Sequence, residues 1–280
     1  MNFKDKLKNI TQKNNSLLCI GLDSQFEKLP GHLKGKENPI FAFNKEIIDA
    51  TYDLVCAYKP NTAFYEAQGI EGIQQLKLSV DYLKEKYPDI PIILDAKRAD
   101  IGNTNEGYVQ FAFDYLGADA ITVHPYLGKE ALKPFLERKD KGILVLCRTS
   151  NPGGGEFQDM TTFDSGNQHI KLYQYVAEKV AKEWNYNGNC GLVVGATYPA
   201  ELEIVRHIAK ELPILIPGIG VQGGDAEKTV KAGVDANGLN AIINSSRGII
   251  FAFGGTDFAE KARIEAEKLR NEINKYRINP

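Results

Sequence analysis

The sequence lacks a charge excess of either sign and lacks any long apolar run. Its 34 Lys and Arg residues nearly balance 36 Asp and Glu residues among 280, for a formal net charge of −2. A general nucleic-acid-binding protein would carry a basic excess, so that class is disfavoured. No stretch approaches the roughly 20 apolar residues of a membrane-spanning helix. The first residues, MNFKDKLKNI, contain no apolar core like that of a secretory signal. We therefore expect a cytoplasmic protein with neither nucleic-acid nor membrane partners.

Cysteine and histidine are few and scattered. The four cysteines form no CxxC pair, and each lies in or beside an apolar run: Cys19, Cys56, Cys147 and Cys190. This pattern favours buried, reduced thiols. The four histidines form neither an HxH nor an HExxH pattern. The sequence thus has no local motif for zinc, and we expect no bound metal.

Eight short apolar runs alternate with longer amphipathic segments. The runs cover residues 16–23, 54–60, 91–97, 120–125, 142–148, 191–196, 213–218 and 238–243, and the amphipathic segments cover 38–52, 66–86, 103–117, 128–139, 167–184, 198–211, 224–232 and 257–275. Near-continuous hydrophobicity is typical of parallel strands covered on both faces. Eight such alternations predict a (β/α)8 TIM barrel, formed as a single domain over residues 1–280. An open doubly wound sheet is the alternative, but the turn GLDSQFEKLPG after the first run lacks a GxGxxG motif.

Charged residues stand at the ends of the first three predicted strands: Asp23, Lys59, Asp95 and Lys97. Barrel enzymes carry their active sites at the C-terminal ends of the strands. Because side chains alternate along a strand, Asp95 and Lys97 are expected to point to the same, inward side. Acids and bases placed together offset the cost of burying a lone charge. The pattern indicates an active site, with a purely structural salt-bridge cluster as the alternative.

Glycine-rich turns follow the seventh and eighth predicted strands. The sequence PGIGVQGG contains Gly218 and Gln222, and NSSRG contains Ser246 and Arg247. These strand ends commonly bind phosphate in barrels, and an arginine can bind an anion through two hydrogen bonds. The alternative is a pair of tight turns with Arg247 in a surface ion pair. The glycine-rich loop at 149–159 is interpreted as a mobile lid, or alternatively as a plain surface loop.

Six segments at these strand ends resemble those of the orotidine 5′-monophosphate decarboxylase family. The segment DAKRADIGNT at 95–104 resembles the family's DxKxxDIxNT signature, and the other five are GLDS at 21–24, YKPNTAFYE at 58–66, RTSNPGG at 148–154, PGIGVQGGD at 217–225 and NSSRGIIFAF at 244–253. The chain is most similar to the longer branch of the family, since Ala99 stands where the shorter branch often has His. The resemblance implies conversion of orotidine 5′-monophosphate (OMP) to UMP and CO2 in de novo pyrimidine biosynthesis. It further implies a homodimer and a reaction without metal or organic cofactor.

The resemblance also implies roles for individual residues. Lys59, Asp95 and Lys97 would form a charged array with the partner subunit's Asp100, and Lys97 would protonate the C6 carbanion. Asp23 would bind ribose hydroxyls together with Lys59. The other implied substrate contacts are Ile101 and Thr104 across the dimer interface, Asn61, Thr149 and Ser150 at the pyrimidine, and Pro217, Gly218, Gln222, Ser246 and Arg247 at the phosphate.

The chemistry of the reaction suits this set of residues. Loss of CO2 from C6 leaves a carbanion with no adjacent carbonyl to delocalise it, and the sequence shows no motif for pyridoxal phosphate, thiamine or a metal. The site must then stabilise charge electrostatically and deliver a proton. The Lys97 ammonium can do both.

Three alternative functions share part of the pattern. Sugar-phosphate enzymes such as 3-keto-gulonate-phosphate decarboxylase and hexulose-phosphate synthase have a DxKxxD core but use Mg²⁺ and an extra acid at the end of strand two, where this chain has Lys59. A Schiff-base aldolase would need an unprotonated lysine, whereas Lys97 is flanked by acids. A non-catalytic nucleotide-binding module would not need two lysines and two acids together.

Overall fold

Eight parallel strands form one sheet in the computed structural model, which describes residues 1–164, 166–219 and 225–277. With the two strands of a separate hairpin, the described ranges contain ten strands: β1 (Leu18–Gly21), β2 (Ala57–Lys59), β3 (Ile93–Arg98), β4 (Ala120–Val123), β5 (Gly142–Arg148), β6 (Thr161–Phe163), β7 (His169–Lys171), β8 (Cys190–Val194), β9 (Ile214–Pro217) and β10 (Ala241–Ser245). The parallel sheet has the order β2-β1-β10-β9-β8-β5-β4-β3, while β6 and β7 form a separate antiparallel hairpin. The predicted (β/α)8 barrel is confirmed.

Two isolated parallel bridges join the edge strands β2 and β3 and close the sheet into a barrel. They pair Tyr58 with Ile92 and Asn61 with Asp95. The amide of Tyr58 donates to the carbonyl of Pro91 over 3.0 Å, and the amide of Asp95 donates to the carbonyl of Pro60 over 2.9 Å. We call this junction the β2–β3 seam. It consists of isolated bridges rather than a continuous ladder.

Helices lie between the strands. They are α1 (Phe3–Lys13), α2 (Pro39–Thr51), α3 (Thr62–Glu66), α4 (Gly69–Lys86), α5 (Gly102–Val109), α6 (Gly128–Leu136), α7 (Gly155–Gln158), α8 (Leu172–Lys179), α9 (Pro199–Ala209), α10 (Ala226–Gly233), α11 (Arg247–Ile250) and α12 (Phe258–Tyr276). Helices α5 and α8 continue as π-helical turns over Gln110–Tyr115 and Val180–Trp184. No helix in the described ranges is both long and apolar enough to span a bilayer.

Three details of the sequence-based assignment are wrong. Helix α1 was not predicted, although Phe3, Leu7 and Ile10 form a narrow apolar stripe that the structure buries. The predicted helix at 167–184 begins instead with β7 of the hairpin. The last predicted run, 238–243, starts too early, because the side chain of Asp235 accepts from the amides of residues 237 and 239 and forms a turn there.

The strands are apolar because both of their faces are covered. Strands β1, β4 and β8 are buried along their whole length. All four cysteines are buried free thiols, as predicted. Burial raises the pKa of both Cys56 and Cys147 to about 12, so neither thiol is activated as a nucleophile. The polar side chains that could contact a substrate follow the strands, at the C-terminal mouth of the barrel.

Candidate active site

A cavity of about 700 Å³ opens at this C-terminal mouth. Most of the predicted site residues line it: Asp23, Lys59, Asn61, Asp95, Lys97, Thr149, Ser150, Pro217, Gly218, Ser246 and Arg247. They come from the ends of β1, β2, β3, β5, β9 and β10. The carboxyl ends of parallel strands meet at one edge, so residues distant in sequence converge in this space.

Asp95 lies at the centre of the charged end of the cavity. Its Oδ1 accepts hydrogen bonds from Lys97 Nζ at 2.7 Å and from Thr122 Oγ1 at 2.8 Å. Its Oδ2 accepts from Lys59 Nζ at 2.9 Å and from Asn61 Nδ2 at 3.3 Å. The carboxylate therefore holds two ammonium groups in fixed positions. The structure brings these predicted residues together as expected.

Burial and charge oppose each other in this cluster. Burial tends to lower the pKa of Lys59, but the negative charges of Asp95 and Asp23 prevail and hold that pKa above its usual value. Burial likewise tends to raise the pKa of Asp95, yet the charges of Lys59 and Lys97 hold it well below its usual value. These directions keep Lys59 and Asp95 ionised at neutral pH, so the cavity presents fixed charges.

Asp23 completes this charged end from the neighbouring strand. Its Oδ1 lies 3.8 Å from Lys59 Nζ. That oxygen is buried and accepts no hydrogen bond from any residue that the structure describes. A buried carboxylate oxygen without a donor is suited to accept a hydrogen bond from a bound hydroxyl group.

Lys97 reaches the cavity through an irregular piece of strand. The pairing of β3 with β4 shifts register between Leu94 and Arg98, and Lys97 has a left-handed backbone with φ of +47°. Its amide donates to Thr122 Oγ1 over 3.0 Å, which fixes this conformation. The side chain is 48% exposed while its ammonium contacts Asp95. Lys97 is therefore tethered at one end and open to a bound molecule.

The opposite end of the cavity carries one cation among the described residues. Arg247 follows β10, is exposed, and forms no ion pair with the described part of the chain. Ser246 packs over Gly21, where a Cβ atom would lie 1.8 Å from Ser246 Oγ, so glycine is required there. The other predicted phosphate-binding residue, Gln222, lies outside the described residues.

Asp100, Ile101 and Thr104 do not line the cavity of their own chain. They follow β3 on the outer surface. Asp100 Oδ1 accepts from the amide of Ile101 at 2.7 Å, and the amide of Asp100 donates to Asn105 Oδ1 at 2.8 Å. Ile101 is 63% exposed. These residues are available to a second molecule, as the homodimer prediction requires, but a single chain does not test that prediction.

Several residues of the site were not predicted. Thr122 is buried behind the cavity and donates its hydroxyl to Asp95, and a hydroxyl within an otherwise apolar strand is a signal that could have identified it. Gln158 and Asn244 line the cavity itself. Asn244 is 6% exposed, and its Oδ1 accepts no hydrogen bond within the described ranges. The segment 149–159 contributes Thr149 through Asn151 and Gln158 to the cavity wall. Its predicted mobility stays a prediction.

We expect the ionised Asp95 to stabilise the native state. Because its pKa in the folded protein lies below the unfolded value, this stabilisation is complete above about pH 5 and is lost as the pH falls below about 4. The Asp95→Asn variant should lose about 3 kcal/mol of unfolding free energy at pH 7, because Lys59 stays buried with a weaker partner. It should also lose less stability than the wild type between pH 5 and 3.

Urea unfolding at a series of pH values measures both effects. Asp89→Asn is the matched control, because Asp89 forms an exposed ion pair with Lys13 and should contribute below about 1 kcal/mol. An Asp95→Asn variant as stable as this control would contradict the buried-cluster argument.

Comparison with known proteins gives a consistent result. The family model described as "Orotidine 5'-phosphate decarboxylase / HUMPS family" matches residues 16–262. A protein from Janthinobacterium sp. (strain Marseille) named orotidine 5′-phosphate decarboxylase is 51% identical over 276 residues, covering 99% of each chain. One of the same name from Azoarcus sp. (strain BH72) is 50% identical over 277 residues, covering 99% of this chain and all of that one. The structure of Leishmania donovani OMP decarboxylase superposes with a TM-score of 0.84 at 38% identity, covering 99% of each chain.

Proposed function

Because this chain belongs to the orotidine 5′-phosphate decarboxylase / HUMPS family, we propose that it converts OMP to UMP and CO2 without a cofactor. The observation that carries the proposal is the Asp95-centred cluster, in which two ammonium groups face a nucleotide-sized cavity. Lys59 at the end of β2 favours this reaction over those of the Mg²⁺-dependent sugar-phosphate enzymes, which place an acid there.

In this mechanism the cluster stabilises a carbanion and then protonates it. The bond between C6 and the carboxylate carbon breaks, CO2 departs, and the electron pair stays on C6. The Lys97 ammonium faces this developing charge in a site where Asp95 already fixes its position, so little reorganisation is needed. A proton then moves from Lys97 Nζ to C6, and solvent returns a proton to the lysine. Asp95 and Lys59 stay charged throughout.

The remaining contacts place the nucleotide along the cavity. Asp23 and Lys59 would bind ribose hydroxyls, which supplies the donor that Asp23 Oδ1 lacks among the described residues. Asn61 is held by two bonds, since its Nδ2 donates to Asp95 and its Oδ1 accepts from the amide of Ala63. It therefore orders the cluster beside the base. Thr149 and Ser150 would meet the pyrimidine edge.

The phosphate would bind at the Arg247 end. Arg247 supplies the charge, and Gln222, Ser246, Pro217 and Gly218 would surround the anion. Phosphate is remote from the bond that breaks, so its binding energy can be used to order the site and to support turnover.

We further propose that the enzyme acts as a homodimer. The partner subunit's Asp100 would join Asp95 and the two lysines, while Ile101 and Thr104 of the partner subunit would reach its base pocket and ribose. The exposure of Ile101 and the position of all three residues outside their own cavity support this arrangement.

An absorbance assay with OMP tests the function. Enzyme dialysed against EDTA should consume OMP and form UMP at the rate of untreated enzyme. Hexulose 6-phosphate and 3-keto-gulonate 6-phosphate, supplied with Mg²⁺, are the comparison substrates and should not react. Turnover of either sugar phosphate without turnover of OMP would overturn the proposal. A decarboxylation rate that EDTA abolishes would overturn its cofactor-independent part.

A further inference from the structure

Asp23 lies in a stretch of chain outside regular secondary structure. Strand β1 ends at Gly21, and residues 22–25 belong to no helix or strand. The amide of Leu22 still donates to the carbonyl of Lys59 over 3.1 Å, but Asp23 Oδ1 accepts no hydrogen bond from the described residues. The orientation of this carboxylate therefore depends on how the chain on either side of it is held.

Tyr65 holds the chain before Asp23. Its hydroxyl, on helix α3, donates to the carbonyl of Leu22 over 2.8 Å, and its side chain is completely buried. Because the peptide group is planar, a bond to the Leu22 carbonyl also fixes the plane that contains the amide nitrogen of Asp23. Burial raises the pKa of Tyr65 above its usual value, so the hydroxyl keeps the proton that it donates.

Asn44 holds the chain after Asp23. It lies in the middle of helix α2 and is completely buried, where asparagine is unfavourable unless its amide is hydrogen-bonded. Its Oδ1 accepts from Ser24 Oγ at 2.5 Å, and its Nδ2 donates to Tyr65 Oη at 2.9 Å and to Ser79 Oγ at 2.9 Å. The two attachments are thus joined to each other through one amide group. We call Ser24, Asn44, Tyr65 and Ser79 the buried polar network.

The hydrogen bonds of the buried polar network run in one direction. Ser79 Oγ donates to a carbonyl of its own helix over 2.8 Å and Tyr65 donates to Leu22, so both hydroxyls must accept from Asn44. The amide nitrogen of Asn44 therefore faces these two hydroxyls, and its oxygen accepts from Ser24. The four side chains of the network are at most 1% exposed, so water has little access to replace a lost partner. A buried network in which each member has its partner makes the chain around it rigid.

We propose that Tyr65 and Asn44 are positioning residues that hold Asp23 where its carboxylate accepts a hydrogen bond from a ribose hydroxyl. The inference rests on the proposed function, in which Asp23 contacts the ribose. An acceptor that is already oriented binds a hydroxyl without first losing conformational freedom, so the hydrogen bond contributes more to affinity. Without the network, Asp23 would sample several orientations, and the ribose hydroxyls would contribute less to binding.

The test compares the Kd values of UMP and of 2′,3′-dideoxyuridine 5′-monophosphate, which lacks both ribose hydroxyls. The ratio of the dideoxy Kd to the UMP Kd, which we call the hydroxyl ratio, is measured by calorimetric titration. Tyr65→Phe removes one oxygen atom and releases the Leu22 carbonyl. We expect the hydroxyl ratio to fall by about fivefold or more, because a hydrogen bond to a charged group is weakened. Ser24→Ala releases the other attachment and should lower the ratio in the same way.

Tyr58→Phe is the matched control. Tyr58 is another completely buried tyrosine, and its hydroxyl contacts helix α2 at Thr51 Oγ1, 2.7 Å away, and at the carbonyl of Ile48, 3.2 Å away. This variant also loses a buried hydroxyl, so its resistance to urea should fall about as much as that of Tyr65→Phe. It should nevertheless keep the wild-type hydroxyl ratio, because Tyr58 points to the face of β2 opposite to Lys59. An equal fall of the ratio in both tyrosine variants would overturn the inference.

A double variant shows whether the network acts through Asp23. Asp23→Ala should itself lower the hydroxyl ratio, and adding Tyr65→Phe should then lower it by less than about twofold. A full additional fall in the Asp23→Ala background would contradict the inference, as would an unchanged ratio in both Tyr65→Phe and Ser24→Ala. If the wild-type enzyme consumes OMP in either case, the proposed function stands while this inference fails. If the wild type does not consume OMP, the proposed function fails and this inference fails with it.

Discussion

Replacing Lys97 by alanine is expected to lower kcat for OMP by at least about 10⁴-fold, since the variant loses the proposed proton donor, which is also the charge proposed to face the carbanion. The fold should persist. Lys97 is half-exposed, and its left-handed backbone is already bonded to Thr122 through the amide, which alanine keeps. UMP should still bind, because the proposed ribose and phosphate contacts do not involve Lys97. Single-turnover kinetics and calorimetric titration with UMP measure the two effects separately.

Lys139→Ala is the matched control for this experiment. Lys139 is an exposed lysine that precedes β5, at the end of the barrel opposite the cavity. Its removal should leave kcat unchanged. A Lys97→Ala enzyme that retains turnover within about tenfold of wild type would be incompatible with Lys97 as the proton donor.

The second large effect is expected at the other end of the cavity. Arg247→Ala should lower kcat/KM for OMP several hundredfold. This corresponds to a loss of about 3 to 4 kcal/mol of transition-state stabilisation. The guanidinium forms no ion pair with the described residues, so removing it frees no buried charge and should leave stability nearly unchanged. The loss should therefore reflect the phosphate contact rather than unfolding.

A ligand without phosphate supplies the control for Arg247. The variant should lose affinity for UMP while its affinity for uridine stays at the wild-type value. Equal losses for the two ligands would show that Arg247 shapes the cavity rather than binding phosphate. An unchanged kcat/KM for OMP would remove the phosphate assignment altogether.

The charged cluster could be predicted because parallel strands end at the same mouth. Once the strands were assigned, the rule that parallel strands end at one edge was enough to place Asp23, Lys59 and Asp95 together. Lys97 lies beside Asp95 as expected, but the sequence argument gave only part of the reason. Regular alternation was expected to set it beside Asp95, yet the structure does so through a register shift and a left-handed backbone. A conformation of this kind costs about 1 kcal/mol or more and has no simple signal in a run such as ILDAKR.

Contacts between distant residues of a folded loop could not be predicted. Gln158 lies in the segment GGGEFQD, where glycine indicates a loop but does not show which side chain turns inward. In the folded loop, the amide of Thr149 donates to Gln158 Oε1, next to the ion pair of Arg148 with Asp159. The proposed roles of Asp100, Ile101 and Thr104 depend on a second chain, and they stay predictions.

The β2–β3 seam has a consequence for how this enzyme becomes active during folding. Strands β2 and β3 are joined by two isolated bridges, and Asp95 contributes its amide to that junction and its carboxylate to Lys59 across it. Ring closure and assembly of the charged cluster are thus one event. An intermediate with every other strand in place would hold Asp95 and Lys97 on one free edge and Lys59 on the other, so its charged cluster would be incomplete. Activity should therefore be regained as a single cooperative step, in phase with the final docking of the sheet.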